Sequence, residues 1–569
     1  MCTMTEKEFS SLAESLAKVE NVSQDETNSL STKDLLKVYL KPRYQIRRLK
    51  SKGAILVLVW NFLVWSAYYS KANPVLKVHS NTNVVFPIIE AIAAGLVMPL
   101  TGLLADVRFG RYKVVNWSIW TMWTSSILVT ASFVVAQLAE SYKKIHQIVS
   151  LGLLVPLGVG FCGFQANIVQ FGVDQLLDAS TTEIKSFITW YAGTFITGKL
   201  VIHSVLTCVQ KYDFFGPLLI SFYLTVILVT NLLFNHLLIK EPVSQNPFRL
   251  VYRVIEYAIK NKYPRQRSAF TYCEDNLPSR IDFGKRKYGG PFTTEQVEDV
   301  KTLFQSLLIA GVLSAFHGMS QNEDKLTSQV KKVMGYRAIG EADTPQQRCH
   351  YSNYIYFTGL YFVTIIVLIP VYEILIYPVF HRCLPHLKIY NKFAIGAALR
   401  IGRYVTLLAL NTYARQHFIK NNGPFSNTTL LCLFQASPGV LGNALDNKWF
   451  ILPQIMSSLS DLLIVISMIE FFCAQVPYSM KGLMAGITYG LLGVFIAFDN
   501  TTSLPFIMKS SRWGTRTISC GFWYCLTKLL FLILIAILSL VARWYKLRKR
   551  EDVLPNEQIF AERYYSKDH

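Results

Sequence analysis

GLLADVRFGRYK, residues 102–113, is the stretch of sequence from which the fold follows. It comes directly after a run of about twenty apolar residues and combines an acid, Asp106, with a glycine, Gly110, and two arginines, Arg108 and Arg111. An acid at a helix end, a glycine for a tight turn and two cations make a compact latch. Because these charges can pair differently in two orientations of the helices, the stretch predicts a cytoplasmic gate.

Long apolar runs extend on both sides of this turn. A bilayer core of about 30 Å needs about 20 mostly apolar residues in a helix, and twelve runs of about that length are bounded by charges or turn residues. With 51% hydrophobic and only 16% charged residues, the composition excludes an ordinary soluble enzyme. The predicted spans cover residues 53–70, 84–104, 113–139, 147–171, 187–209, 214–239, 303–320, 354–378, 393–415, 450–473, 481–499 and 520–542.

Basic residues set the orientation of these spans. Lysines and arginines crowd the start of the first span and the end of the last, so both termini are predicted to be cytoplasmic. The net charge of +21 then reflects orientation and contact with anionic lipid headgroups, and no nucleic-acid role is expected. In this topology the N-x-T sequons at Asn427 and Asn500 fall on the non-cytoplasmic side of the membrane and are predicted glycosylation sites.

A polar, basic stretch of about sixty residues separates the sixth and seventh spans. Six helices, a cytoplasmic linker and six more helices is the layout of a two-bundle transporter. The sequence therefore predicts an all-α membrane protein with 12 transmembrane helices in two six-helix bundles. The predicted segments are an N-terminal tail over 1–52, a bundle over 53–239, the linker over 240–302, a bundle over 303–542 and a C-terminal tail over 543–569.

Five motifs resemble those of the proton-coupled oligopeptide transporters, a family of the major facilitator superfamily, and are closest to its peptide/histidine transporter branch. The latch at 102–113 is similar to that family's loop between helices two and three. The resemblance runs in the family's order as far as residue 481, and it implies the same fold and a secondary transporter rather than an enzyme. The other similar stretches are QANIVQFGVDQ at 165–175, GGPFT at 289–293, IPVYEILIYP at 369–378 and IEFFCAQVPYSMK at 469–481.

The residues that would couple protons depart from the family pattern. Helix one of the family carries E-x-x-E-R-F-x-Y-Y-G, whereas the aligned stretch here is NFLVWSAYYS, residues 61–70. The family's helix-four lysine is Gln165 here, and its helix-eight asparagine is Tyr361. Two acids and two cations are lost together, in keeping with the cost of several kcal/mol for an unpaired charge within a bilayer. This departure predicts that proton coupling is altered or absent.

The resemblance implies a substrate site in the central cavity. Asp461 stands where the family holds the amino terminus of its substrate, and a carboxylate in a partly desolvated cavity is a natural ammonium partner. The alternative for Asp461 is a role inside a polar network. Asn167 is predicted to hydrogen-bond the backbone of a peptide. Tyr68 and Tyr69 are predicted to line the pocket, and packing at a helix interface is the alternative for both. The predicted substrate-binding residues are Asp461, Asn167, Tyr68, Tyr69, Gln165 and Tyr361.

Ionisable residues inside the spans are predicted charge or proton sites, since such residues are functional by default. Glu90, Lys199 and Glu470 are the candidates, with Glu90 and Lys199 as the preferred pair. Arg400 and Arg403 lie three residues apart on one helical face, where pairing with an acid is favoured over anion binding. A single histidine in a span, such as His317, is more often a packing residue than a proton carrier.

The resulting hypothesis is a transporter that moves di- or tripeptides, with free histidine as a further candidate, toward the cytoplasm by alternating access. Protons are the candidate coupling ion, and neither a cofactor nor a metal is expected. The alternative keeps the fold but makes the chain a substrate-shifted or non-transporting relative that acts as a receptor or scaffold. The host membrane is predicted to be either the plasma membrane or the endolysosomal membrane.

Overall fold

Twelve long helices account for most of the described chain. The structure is a computed structural model that describes residues 51–70, 85–138, 143–176, 181–209, 215–240, 247–261, 279–319, 367–372, 389–422, 451–476, 480–503, 507–509, 516–518 and 521–543. All of these helices belong to one compact unit, Leu49–Pro370 with Lys388–His569. They are α1 (Lys52–Ser70), α2 (Val85–Leu104), α3 (Arg111–Leu138), α4 (Lys143–Asp174), α5 (Thr181–Val209), α6 (Phe215–Phe234), α7 (Pro247–Lys260), α8 (Thr294–Gly318), α9 (Ile389–Asn422), α10 (Ile451–Gln475), α11 (Lys481–Ser503) and α12 (Gly521–Arg543).

These bounds confirm the helical prediction, since eleven of the predicted spans coincide with described helices. The eighth span, 354–378, lies outside the described residues except for 367–372. Helix α8 begins nine residues before the predicted 303, because Thr293 and Gln296 form a capping box that starts the helix within the linker. Within the described chain, seven helices are long and apolar enough to cross a membrane.

The outer surface of the described helices is apolar, as a bilayer requires. Phe222, Leu232 and Leu233 on α6 are between 59% and 65% exposed. Contiguous large apolar groups on the outside of a protein mark contact with something other than water. The all-α membrane fold is therefore supported by the surface as well as by the apolar runs.

The predicted latch is a sharp turn at one end of the molecule. After α2 the chain makes a π-helical turn, Ala105–Phe109, and Gly110 adopts a φ of 84° before α3 begins at Arg111. Only glycine takes that conformation without strain. The start of α1 reaches the same end, because the Ser51 hydroxyl donates to the Gln175 carbonyl after α4. We call this the linker end, since the linker begins directly after Ile239, whose carbonyl and N–H both bond the Gln175 side chain.

Helices α2 and α11 pack closely through glycines. A Cβ atom on Gly102 would lie 2.2 Å from the Gly482 carbonyl oxygen, and one on Gly486 would lie 2.4 Å from that of Met98. Such distances leave no room for a side chain, so the two backbones touch. We call α1 to α6 the N-half and α8 to α12 the C-half; the α2–α11 contact joins the two halves.

The linker carries an amphipathic helix, α7, which packs on the start of α8. Val254 of α7 is fully buried against Val297 and Val300, which the sequence places at adjacent turns of α8. A short hairpin of β1 (Ile507–Lys509) and β2 (Arg516–Ile518) joins α11 to α12 at the opposite end. The described part of the linker is therefore folded against the C-half.

Candidate functional site

A neutral amide network occupies the centre of the N-half, where the family pattern would place charges. The Gln165 Nε2 group of α4 donates to Asn61 Oδ1 of α1 at 3.3 Å. Asn61 Nδ2 donates to the Thr194 hydroxyl of α5 at 2.7 Å, and the Tyr191 hydroxyl donates to Gln165 Oε1 at 3.4 Å. Asn61 is completely buried and Gln165 nearly so. Hydrogen bonds between neutral groups thus join three helices at the positions that the sequence singled out.

An aromatic cluster fills the space beside this network. Trp65, which aligns with the family's helix-one arginine, makes edge contacts with Phe161 and Phe195 at centroid distances of 5.0 and 4.4 Å. Tyr68 stacks on Phe161 at 4.1 Å. The predicted substrate residue Tyr68 is therefore half-buried among rings. Aromatic contacts therefore stand at a position where the family pattern has a charged side chain.

Two buried amide side chains, Asn167 and Gln170, lie on one face of α4, and this face meets the C-half at Gln170. Gln170 Nε2 donates to Cys473 Sγ of α10 at 3.6 Å, so this face of α4 meets the C-half. Asn167 lies three residues earlier on the same face, and its Nδ2 donates to the Gly163 carbonyl at 2.9 Å. Among the described residues, the buried Asn167 Oδ1 and Gln170 Oε1 atoms have no hydrogen-bond partner. Buried acceptors of this kind call for a donor.

Three helices of the C-half meet at Asp461. The Arg400 guanidinium of α9 forms an ion pair with Asp461 Oδ1 of α10 and donates to the Ser457 and Ser460 hydroxyls at 3.4 and 3.2 Å. His317 Nδ1 of α8 lies 3.9 Å from the same Asp461 oxygen. The Arg400 side chain is fully buried, whereas that of Asp461 is 10% exposed. The prediction that Arg400 pairs with an acid is confirmed, and Asp461 is the more exposed member of this buried pair.

Two further buried ion pairs lie in the C-half. Lys392 Nζ of α9 donates to both oxygens of Glu470, a predicted charge site on α10, at 2.7 and 2.8 Å. Lys528 of α12 pairs with Asp499 of α11 and donates to the Thr502 hydroxyl at 3.0 Å. The residues predicted from the sequence did not include Lys392, Asp499 and Lys528. The signal for Lys528 was present, because a lysine inside a predicted span meets the same rule that selected Glu90.

The predicted gate residues are partly brought together at the linker end. Arg111 donates to both oxygens of Asp174 on α4 at 2.8 Å and lies 3.3 Å from Asp106. Asp106 Oδ2 also accepts from the Leu483 backbone N–H of α11 at 2.8 Å. Arg108 is instead exposed, with its guanidinium over the Phe109 ring. Asp106 therefore links the N-half to the start of a C-half helix, where the helix dipole favours an anion.

Several predicted positions lie outside what the structure describes. Tyr361 and Asn427 are outside the described residues, and the side chains of the others are not described although their backbones belong to helices. The Glu90–Lys199 pair therefore stays a prediction. Among the described residues, no group of three or more His, Cys, Asp or Glu side chains is placed to hold a metal ion. The positions without described side chains are Tyr69, Glu90, Lys199 and Asn500.

Comparison with known proteins gives concordant matches over most of the chain. A model of the POT family matches residues 119–520. The structure of the POT family transporter PepTSo aligns with a TM-score of 0.58 at 14% identity, over 88% of this chain and 99% of that one. The structure of an auto-inhibited POT family peptide transporter aligns with a TM-score of 0.55 at 16% identity, over 87% and 97%. A POT family transporter in complex with a thioalcohol-conjugated peptide aligns at 0.51 and 13%, over 86% and 96%.

Proposed function

Because this chain belongs to the POT family, we propose that it is a secondary transporter of di- and tripeptides, with free histidine as a further candidate substrate. Membership places it among membrane transporters rather than enzymes. We propose that the halves rock about a central site, with the peptide bound between the α4 face and the C-half cluster. The POT transporter crystallised with a conjugated peptide supports this substrate class.

The observation that carries the proposal is the pair of buried acceptor oxygens on α4. Asn167 Oδ1 and Gln170 Oε1 have no hydrogen-bond partner among the described residues, and their face of α4 meets the C-half. A peptide backbone N–H is a donor that would satisfy them. Asp461 is the more exposed member of the ion pair with Arg400 and would hold the amino terminus. In this arrangement the N-half supplies amides and rings, and the C-half supplies charge.

Uptake into reconstituted vesicles tests this proposal directly. Purified protein is reconstituted, and accumulation of labelled dialanine or histidine is measured with and without an inward proton gradient. We expect saturable dialanine uptake, and a several-fold loss in the Asn167→Leu variant, which removes the acceptor. The matched control is Thr189→Val, which removes a buried α5 hydroxyl that bonds the Lys185 carbonyl of its own helix. If neither binding nor uptake is detected for peptides and histidine, the transport proposal fails.

Asp461→Asn tests the role of the carboxylate in holding the amino terminus. We expect weaker binding of any substrate with a free amino terminus and unchanged binding of an amine-free ligand. The substitution also removes the negative charge that pairs with Arg400, so the folded fraction is measured alongside by size-exclusion chromatography. Equal loss of both ligands would show that Asp461 only maintains the cluster.

A receptor or scaffold role is the second candidate, and one observation favours it. Arg400 occupies Asp461 from within the same half, while the N-half network of Asn61 and Gln165 is neutral. A carboxylate that already has an ion-pair partner within the protein does not require a substrate ammonium group to balance its charge. Binding of labelled dialanine without any accumulation in the vesicles would support this candidate over transport.

We propose that the linker end faces the cytoplasm, in the plasma membrane or the endolysosomal membrane. The basic residues of α7 and the latch support this orientation. It places Asn427 and Asn500 on the outer side, where both stay predicted glycosylation sites. The sequon at Asn500 lies within α11, and its Thr502 hydroxyl donates to the Asp499 carbonyl at 3.0 Å. Glycosidase treatment of Asn427→Gln and Asn500→Gln variants would show which site is used.

A further inference from the structure

We propose that His317, on α8, is the residue that binds the coupling proton in this chain, acting through the Asp461–Arg400 ion pair. The proposal rests on the transport function proposed above and gives it a coupling site. The helix-one and helix-four positions that carry charge in the family are occupied by neutral or aromatic groups, namely Asn61, Trp65 and Gln165. A proton that enters the central region therefore needs a different titratable side chain. Glu470, one of the predicted candidates, already accepts from Lys392 through both of its oxygens.

The geometry places His317 beside the Asp461 carboxylate. Its Nδ1 atom is 3.9 Å from Asp461 Oδ1, the oxygen that also receives the Arg400 guanidinium. This distance exceeds a direct hydrogen bond but is well within Coulombic reach at low dielectric. The His317 side chain is 5% exposed and that of Asp461 is 10% exposed. Both groups are therefore nearly buried, which strengthens the electrostatic interaction between them.

Among the described residues, the charged groups that act on His317 include one anion, Asp461, and one cation, Arg400. Asp461 of α10 and Arg400 of α9 act on it directly, and Arg403 of α9 lies within electrostatic reach of Asp461. Helices α11 and α12 also pack against α8, and their buried charges, Asp499 and Lys528, pair with each other. Asp461 is thus the anion to which a protonated His317 would be attracted.

Protonation would change how Asp461 is shared. The His317 ring takes one proton from water and returns it to water, with no other bond made or broken. The resulting imidazolium competes with Arg400 for Asp461 Oδ1, which weakens the clasp between α9 and α10 and strengthens the contact of α10 with α8. Two arrangements of three packed helices, selected by one proton, make the kind of bistable element that alternating access needs. Proton binding and helix packing are then thermodynamically linked.

Two transport assays on His317→Asn test the proposal. Asparagine keeps a nitrogen donor in reach of Asp461 but cannot take up a proton. Counterflow, in which unlabelled dialanine inside vesicles exchanges for labelled dialanine outside, needs no proton gradient. We expect the variant to retain counterflow within about twofold, to lose gradient-driven accumulation down to the no-gradient level, and to lose the response of uptake to external pH.

The matched control is Ser314→Ala on the same helix. Ser314 is fully buried, and its hydroxyl donates to the Thr488 carbonyl of α11 at 3.0 Å, so its loss perturbs α8 without removing a titratable group. This control should keep both the gradient response and the pH profile. If His317→Asn does not fold, His317→Gln provides a second uncharged side chain for the same measurements.

The outcomes separate this proposal from the transport proposal. Gradient-driven accumulation and a normal pH profile in the folded His317→Asn variant would overturn the assignment of the proton to His317. Counterflow without any gradient response in the unmodified protein would also overturn it, while leaving peptide transport intact. Absence of counterflow in the unmodified protein would defeat the transport proposal, and the coupling site with it.

Discussion

The Asn61–Gln165 hydrogen bond shows what a buried site requires when its charges are lost together. Each side chain donates to or accepts from a neighbouring helix, so the polar atoms stay satisfied without any ion. Neutral hydrogen-bonded groups avoid the desolvation cost that buried ions carry. The loss of family charges is therefore compatible with a stable N-half.

Adding back one charge at this network should be more harmful than adding back two. Gln165→Lys alone places a cation among Asn61, Thr194 and Tyr191, and we expect a loss of several kcal/mol of folding free energy. Asn61→Glu combined with Gln165→Lys supplies the opposite charge. The double variant should recover at least half of the decrease in thermal midpoint that Gln165→Lys causes alone. Thermal unfolding of the detergent-solubilised protein measures both. A single lysine variant as stable as the unmodified protein would indicate that water reaches this network.

At the scale of helices, the α2–α11 contact depends on the absence of side chains. The backbones touch at Gly102 and Gly482 and again where Gly486 meets Met98. Close packing of this kind in a membrane gains dispersion energy that a larger residue would prevent. The same contact joins the two halves, so its fit bears on any motion between them.

Alanine substitutions at two glycines should have opposite effects. In Gly486→Ala the new methyl group would lie 2.4 Å from the Met98 carbonyl oxygen, so we expect a loss of about 1–3 kcal/mol. Gly158→Ala on α4 has open space around its new methyl group, and helix propensity predicts a gain of about 0.5–1 kcal/mol. Thermal midpoints measure the difference. Equal midpoints for the two variants would mean that α2 and α11 are not packed this closely.

The carboxylate of Asp282 stabilises the described segment of the linker that precedes α8. Burial alone would raise the pKa of Asp282, but hydrogen bonds from Lys285, Lys301 and Ser279 outweigh it and hold the pKa well below the ordinary value of 3.8. A carboxyl whose pKa is lowered by folding stabilises the fold fully above its unfolded pKa. That contribution is lost as the pH falls below about 3.8 toward the pKa of the folded state.

Asp282→Asn should therefore loosen the linker at neutral pH. We expect faster amide hydrogen exchange across α7, because its contacts with the start of α8 rest on the segment that Asp282 holds. The unmodified protein should approach the exchange of the variant only when the pH falls below about 3.8. Lys260→Gln is the control, since its exposed pair with Glu256 contributes little. Unchanged exchange in Asp282→Asn would show that apolar packing alone holds α7.

At the scale of the whole molecule, the linker end is closed by bonds that cross between the halves. Asp106 accepts from the Leu483 N–H, and Gln170 donates to Cys473 in the same region of the boundary. A transporter that alternates between two arrangements must break these bonds to open this end. The strength of the latch therefore sets how often the end opens.

Asp106→Asn should open the linker end more often. The variant loses the charge that binds Arg111 and the start of α11, and a closed state weaker by about 1–2 kcal/mol corresponds to a roughly 5- to 30-fold rise in opening. Modification of Cys473 by a charged thiol reagent, in a background lacking the other cysteines, reports that rise. Arg108→Gln is the control, because Arg108 is exposed. Equal modification rates would mean that Asp106 does not hold this end closed.

The sequence by itself determined the helices, the turn at Gly110 and the family, because apolar runs and turn residues are local features of the chain. It also located the departures at Asn61, Trp65 and Gln165, because alignment with a family motif shows directly which residues differ. It selected Asp461 and Glu470 as charges of interest. It left open whether Asp461 serves a substrate or an internal network.

Only the tertiary structure decided which groups meet. Arg400 and Asp461 are 61 residues apart, Lys392 and Glu470 are 78 apart, and Asp106 reaches an N–H 377 residues away. Pairing of this kind depends on which helices are neighbours and how each is rotated, and hydrophobic periodicity in a helix that is apolar nearly all round does not specify rotation. The packing of α8 against α10 likewise places His317 beside Asp461, a contact that the sequence did not predict.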